Sequence, residues 1–102
     1  MDECLFARIS TRAFMKEKEL EKQLKALANA RRLKILKYLD KTNKASVGDI
    51  AREIKLSFKS TSRHLAVLRA TEMVCADQQN LMMYYSLVNP KILILKQVLE
   101  QC

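Results

Sequence analysis

The sequence predicts a mainly α-helical domain with one small β-hairpin, in the order α-α-α-α-β-β-α. Three observations carry this. Apolar residues recur at spacings of three and four through residues 20–68 and again after residue 90. Between residues 74 and 87 the pattern shifts to short β-compatible runs, where Tyr84 and Tyr85 favour a strand. The 102 residues include one Gly and one Pro, so turns are few and the helices between them long.

A chain of this length supports one core, so residues 1–102 are read as a single domain. Hydrophobic residues make up 49% and charged residues 29%, which suits a folded chain rather than a disordered one. No apolar run approaches the length of a transmembrane helix, and no secretory hydrophobic block opens the chain. Cys4, Cys75 and Cys102 are odd in number and widely spaced, so no disulfide framework follows and a reducing cytoplasm is the expected location. Enzymatic readings find no support: there is no Gly-rich phosphate loop, no acid/base pair, and no Ser or Cys with a partner base.

Residues 1–10 read as a flexible lead-in. A first helix is expected over residues 11–27, with Phe14, Leu20, Leu24 and Leu27 along one side and mixed Glu and Lys on the other. Asn29 is placed to cap a second helix over residues 30–39, which buries Leu33, Leu36 and Leu39, joined by Ile35. Residues 40–45 are polar and read as a loop. Ser46 and Asp49 have the spacing of a capping box, and Ile50, Ala51 and Ile54 form the buried face of the third helix. That helix should end near Lys55, because Ser57 caps a fourth over residues 58–70. So short a gap makes the pair a helix-turn-helix.

On the fourth helix, Thr61, Leu65 and Leu68 share the inner stripe, with Phe58 at its edge. The outer side carries Lys59, Ser60, Arg63, Ala66, Val67 and Ala70, flanked by Ser62 and His64, and it holds no carboxylate. Small and cationic side chains let a helix approach base edges in the major groove of DNA. Ser57, Lys59, Ser60, Ser62, Arg63, His64 and Val67 are therefore the candidate DNA-contacting residues. The net charge of +8 agrees with a polyanionic partner. Eleven basic and three acidic residues lie between Lys25 and Arg63, so this stretch alone holds a surplus equal to that of the whole chain. Arg31, Arg32, Lys44, Gln78 and Gln79 are candidate phosphate contacts.

Residues 74–77 and 82–87 form the expected hairpin, with Gln78, Gln79 and Asn80 between them and Asn80 suited to a left-handed turn position. A last helix over residues 90–101 would begin with Asn89 as cap and Pro90 in its first turn. Ile92, Leu93, Ile94, Leu95, Val98 and Leu99 leave it apolar around most of its girth, so it needs cover on two sides. A second copy of the chain supplies that cover most simply. The expectation is a homodimer paired through residues 11–27 and 90–101.

Helix, helix, helix-turn-helix, hairpin, helix is the order of a winged helix-turn-helix. Three stretches also resemble the ArsR/SmtB family of transcriptional repressors. These are LKALANARRLKILKYL at residues 24–39, the helix-turn-helix with SRHLAVLR at residues 62–69, and MYYSL at residues 83–87. The resemblance implies a homodimer that binds inverted-repeat operator DNA and blocks transcription, in many members until an inducer, often a metal ion, releases it. Where the family's metal helix often reads CVCDL, this chain has Ser46, Val47, Gly48, Asp49 and Ile50, with no thiolate. The last helix has neither Asp nor His for the family's second metal site. No metal, cofactor or catalytic residue is assigned, and no residue names an inducer. Two alternatives stay open: a winged helix used for protein contact without specific DNA binding, and a thiol- or arsenite-responsive repressor using Cys4, Cys75 or Cys102.

Overall fold

The computed structural model of the chain describes residues 16–89 and 91–102. Among them are α1 (Glu17–Leu27), α2 (Ala30–Thr42), β1 (Ala45–Ser46), α3 (Val47–Ile54), α4 (Phe58–Ala70), β2 (Val74–Gln79), β3 (Met82–Leu87) and α5 (Leu93–Gln101). The architecture is the expected winged helix-turn-helix, with one addition: β1 joins the hairpin as a third antiparallel strand in the order β1-β3-β2. Ala45 and Ser46 pair with Tyr85 and Tyr84, which ties the start of the helix-turn-helix to the wing. The proposed lead-in, Phe14, Cys4 and Pro90 lie outside the described residues.

Local chemistry explains most boundaries. Asn29 caps α2, its side chain accepting from the backbone N–H groups of Arg31 and Arg32. α2 runs past the expected end at residue 39 to Thr42 and stops where Asn43 takes a positive φ of 72°. Ser46 Oγ accepts from Asp49 N at 3.1 Å, and Asp49 Oδ2 accepts from Ser46 N at 3.5 Å, which completes the capping box of α3. Ser57 Oγ caps α4 by accepting from Ser60 N.

Both helices of the helix-turn-helix end without glycine. Lys55 (φ 57°) follows α3 and Glu72 (φ 64°) follows the last turn of α4. Each lets the next residue donate back into the helix, Leu56 N to Ala51 O and Met73 N to Leu68 O. These are Schellman-type closures, in which the positive φ lets the chain reverse within a few positions.

The core sits where α2, α3, α4 and the base of the wing meet. Ile35, Leu36, Ile50, Leu65, Leu68, Met73 and Leu95 form its centre.

 Each of these side chains, Leu95 included, is 0% exposed. Thr61 is equally buried, and its hydroxyl is satisfied by donating to Ser57 O at 2.8 Å. Leu33 and Ile54, expected on buried faces, are half-buried and pack against this core.

Three expectations need correction. Gln78 and Gln79 are strand residues, in register with Met83 and Met82, so the turn is Asn80-Leu81, with Asn80 left-handed at φ 58°. Asn89 does not cap the last helix, which begins at Leu93 with Ile92 in the cap position. Phe58 is not at the core edge: it is 64% exposed, at the first turn of α4.

Candidate nucleic-acid interface

The helix-turn-helix consists of α3, the turn Lys55-Leu56-Ser57, and α4. Thr61, Leu65 and Leu68 anchor α4 inward, which leaves Lys59, Arg63, Ala66 and Ala70 exposed in one stripe on the opposite side. No Asp or Glu lies on α4, so nothing on the helix repels a phosphate. The first-turn N–H groups add a partial positive charge at the same end as Lys59. Lys59 and Arg63 enter no ion pair among the described residues, so their charges face solvent uncompensated. On α3, by contrast, Arg52 is paired with Asp49.

The other proposed contacts on α4 divide. Ser57 and Ser62 flank the open stripe, Ser57 exposed and Ser62 half-buried. Ser60, His64 and Val67 share one side of the helix and are all half-buried. Val67 packs against the core, which corrects its placement on the outer face. His64 Nδ1 accepts from Arg32 Nε at 3.2 Å. Because Nδ1 accepts, the neutral ring carries its proton on Nε2. Burial above all, then the charges of Arg32 and Arg31, hold the His64 pKa below its ordinary 6.5.

The proposed phosphate contacts are also unequal. Arg31 is exposed near the start of α2. Arg32 is half-buried and turned inward, where it bonds His64 and reaches the carbonyls of Lys25 and Ala26 at 3.4 Å. Lys44 holds its ammonium 5.2 Å from the centroid of the Tyr84 ring, a cation–π contact between the loop before β1 and the wing. Gln78 and Gln79 are exposed, their amides bonded locally to Asn80 O and Asp77 Oδ2. Beyond them Leu81 is 96% exposed at the wing tip.

Ser46 and Asp49, at positions corresponding to the family's metal helix, are committed to the capping box. No cluster of metal-binding side chains occurs among the described residues. Cys75 on β2 is disulfide-bonded, contrary to the expectation of no disulfide, and its Sγ lies 3.6 Å from Ser86 Oγ. Cys102 is a free, exposed thiol. Among the described residues no helix is long and apolar enough to cross a membrane.

Two features lay beyond sequence reasoning. The Arg32–His64 bond joins residues 32 positions apart, and no local periodicity signals such a pair. The Lys44–Tyr84 contact depends on β1, a strand of two residues that has no apolar alternation of its own.

A helix-turn-helix with an open, cationic second helix beside a three-stranded wing defines a winged helix-turn-helix DNA-binding transcriptional regulator. Residues 29–75 match the family described as bacterial regulatory proteins of the arsR type. The transcriptional activator HlyU of Vibrio cholerae is 35% identical over 78 residues, which span 76% of this chain and 71% of that protein. The transcriptional repressor PagR of Bacillus anthracis is 36% identical over 69 residues, 68% of this chain and 69% of that one. In structure, reduced HlyU from Vibrio cholerae superposes with a TM-score of 0.69 at 34% identity, covering 82% of this chain and 84% of its own. The chain belongs to the arsR family.

Proposed function

We propose that the chain is a homodimeric repressor that reads a two-fold-symmetric operator with α4 of each protomer. The observation that carries this is the open stripe of α4, with Lys59 and Arg63 unopposed by any carboxylate. Lys59, Arg63 and Ser62 are the residues proposed to meet base edges or the phosphates beside them. Ser57, Arg31 and Lys44 are proposed to hold the backbone, with Gln78 and Gln79 reaching it from the wing. Ser60 is left at the edge of the reading surface by its half-burial.

Pairing is supported by apolar surface that a single chain leaves open. Leu20 is 40% exposed and Leu24 48% on α1, and Leu93 is 71% exposed on α5. Water contact on these leucines is unfavourable, and a second copy removes it while placing two α4 helices on one duplex. The direction of regulation differs between the two named relatives, one an activator and one a repressor. Repression is favoured here because occupancy of the operator by a reading and pairing domain is enough to exclude polymerase. The reading assigns no enzymatic step, cofactor or metal, and places the protein in the cytoplasm with DNA.

The test is selection of bound sequences from a random duplex pool. A two-fold-symmetric consensus is the expected result. No enrichment, together with salt-insensitive and negligible retardation of any duplex, would instead favour a protein-contact role, since phosphate binding weakens steeply with salt. A thiol-responsive version of the same repressor is favoured by one observation, the disulfide at Cys75 in the wing. It predicts that operator affinity changes with dithiothreitol in the native chain and not in Cys75→Ser.

A further inference from the structure

Arg32 stands where three elements meet. Its Nε donates to His64 Nδ1 on α4, and its terminal Nη1 donates to Lys25 O and Ala26 O in the last turn of α1. Those carbonyls lie at the negative end of the α1 dipole, where a guanidinium is favoured and orphan acceptors need donors. Arg32 itself is fixed at the start of α2, where its backbone N–H donates to the Asn29 cap. One planar side chain therefore spans α1, α2 and α4, and its forked donors suit two acceptors in different directions.

We infer that Arg32 is a positioning residue that, through His64, sets the orientation of the reading helix relative to the pairing helix. This rests on the reading that α4 meets DNA and α1 meets a second copy. If α1 fixes where the partner sits, then the Arg32–His64 link controls how the two α4 helices of a dimer are aligned to successive grooves. Discrimination between operator and unrelated duplex depends on that alignment. Attraction to phosphate does not, because it needs only charge near the backbone. Arg32 thus supports specificity without touching a base. His64 contributes its Nδ1 acceptor, which makes the histidine half of a brace.

The chemistry separates this role from a phosphate contact. Arg32→Lys keeps the charge but loses the fork, so it cannot serve His64 and the α1 carbonyls together. His64→Leu removes the acceptor while keeping a side chain of similar bulk, and His64→Asn returns an acceptor near the position of Nδ1. The experiment measures, for each full-length variant, affinity for the selected operator and for a scrambled duplex of equal length across a salt series. Arg32→Lys and His64→Leu are expected to lower the operator-to-scrambled ratio about tenfold or more while the salt slope stays at the native value, and His64→Asn to recover much of the ratio. Since His64 is the sole histidine, its ¹⁵N resonances report the tautomer without ambiguity, and the Nε2–H form is expected in the native chain and lost in Arg32→Lys.

A native ratio in both Arg32→Lys and His64→Leu overturns the inference. So does a ratio that is kept in Arg32→Lys while Arg32→Gln lowers affinity for both duplexes and reduces the salt slope, which is the signature of a phosphate contact. Should Arg32→Lys fail to fold, the two histidine variants decide the matter. Failure of the native chain to discriminate any duplex is a different result, because it removes DNA reading itself.

Discussion

Truncating Leu24 to Ala tests the pairing surface most directly. Leu24 is 48% exposed and Leu20, one turn away, is 40% exposed, while Leu27 on the same helix is 6% exposed and belongs to the core. Full burial of a leucine contributes about 1.5–3 kcal/mol relative to full exposure, so the half still in contact with water has about 1 kcal/mol to gain on pairing. A two-fold interface contains Leu24 twice, so Leu24→Ala should weaken the dimer by about 2 kcal/mol, about thirtyfold in the dissociation constant. Sedimentation equilibrium over a concentration series measures this constant, and circular dichroism checks that helicity is retained. Operator binding should become steeper in protein concentration, because two protomers must then assemble on the site. A dimer constant equal to the native one would remove α1 from the interface. A native chain that remains monomeric at every concentration, free and on DNA, would refute the pairing argument altogether.

Three further outcomes are expected. Replacing Arg63 by Ala should cost about 1–3 kcal/mol of discrimination if the side chain forks onto guanine, while Arg31→Ala should weaken all duplexes alike and reduce the salt slope by about one per protomer; competition retardation assays separate the two. Ser46→Ala removes the acceptor for Asp49 N, so it should destabilise the fold by about 1 kcal/mol and lower the melting temperature by about 4–8 °C in calorimetry, with no need of any metal. The lowered His64 pKa means that the unfolded chain takes up a proton near pH 6.5 that the folded chain binds only at lower pH. The resulting contribution to stability is therefore complete above pH 6.5 and is lost as pH falls through the folded value, so melts recorded from pH 7.5 downward should show a fall that His64→Asn lessens. An identical pH profile in that variant would detach the histidine from the effect.

The helix-turn-helix was legible in the sequence almost residue by residue. Its signals are local: Ser46 and Ser57 cap, Thr61, Leu65 and Leu68 repeat at helical spacing, and the boundaries of α4 agree with those expected. The less legible parts lack such signals. Residues 40–42 extend α2 through polar side chains that show no apolar period, and β1 is a strand only because Tyr84 and Tyr85 pair with it. The expected start of α5 followed the local preference of Asn89 and Pro90, whereas the helix begins at Leu93, past Ile92, which is buried at 4% exposure.

The division within the candidate site has the same origin. Angular position around α4 separates the inner stripe from the rest, because the helix repeat is a property of the chain alone. It does not say how far a neighbouring helix wraps round the flank. Arg32 on α2 covers that flank at His64, and Val67, expected on the outer face, packs on the core.

By itself the sequence determined the class of fold, the reading helix with its cationic outer stripe, and the absence of thiolates at Ser46 and Gly48, since each follows from residue type and local spacing. Tertiary structure decided which of those outward residues remain open, and it turned Arg32 from one more cation into a brace between α1, α2 and α4. The reason is physical: a side chain's exposure and partners depend on packing between segments distant in sequence, and the periodicity of one helix contains no record of its neighbours.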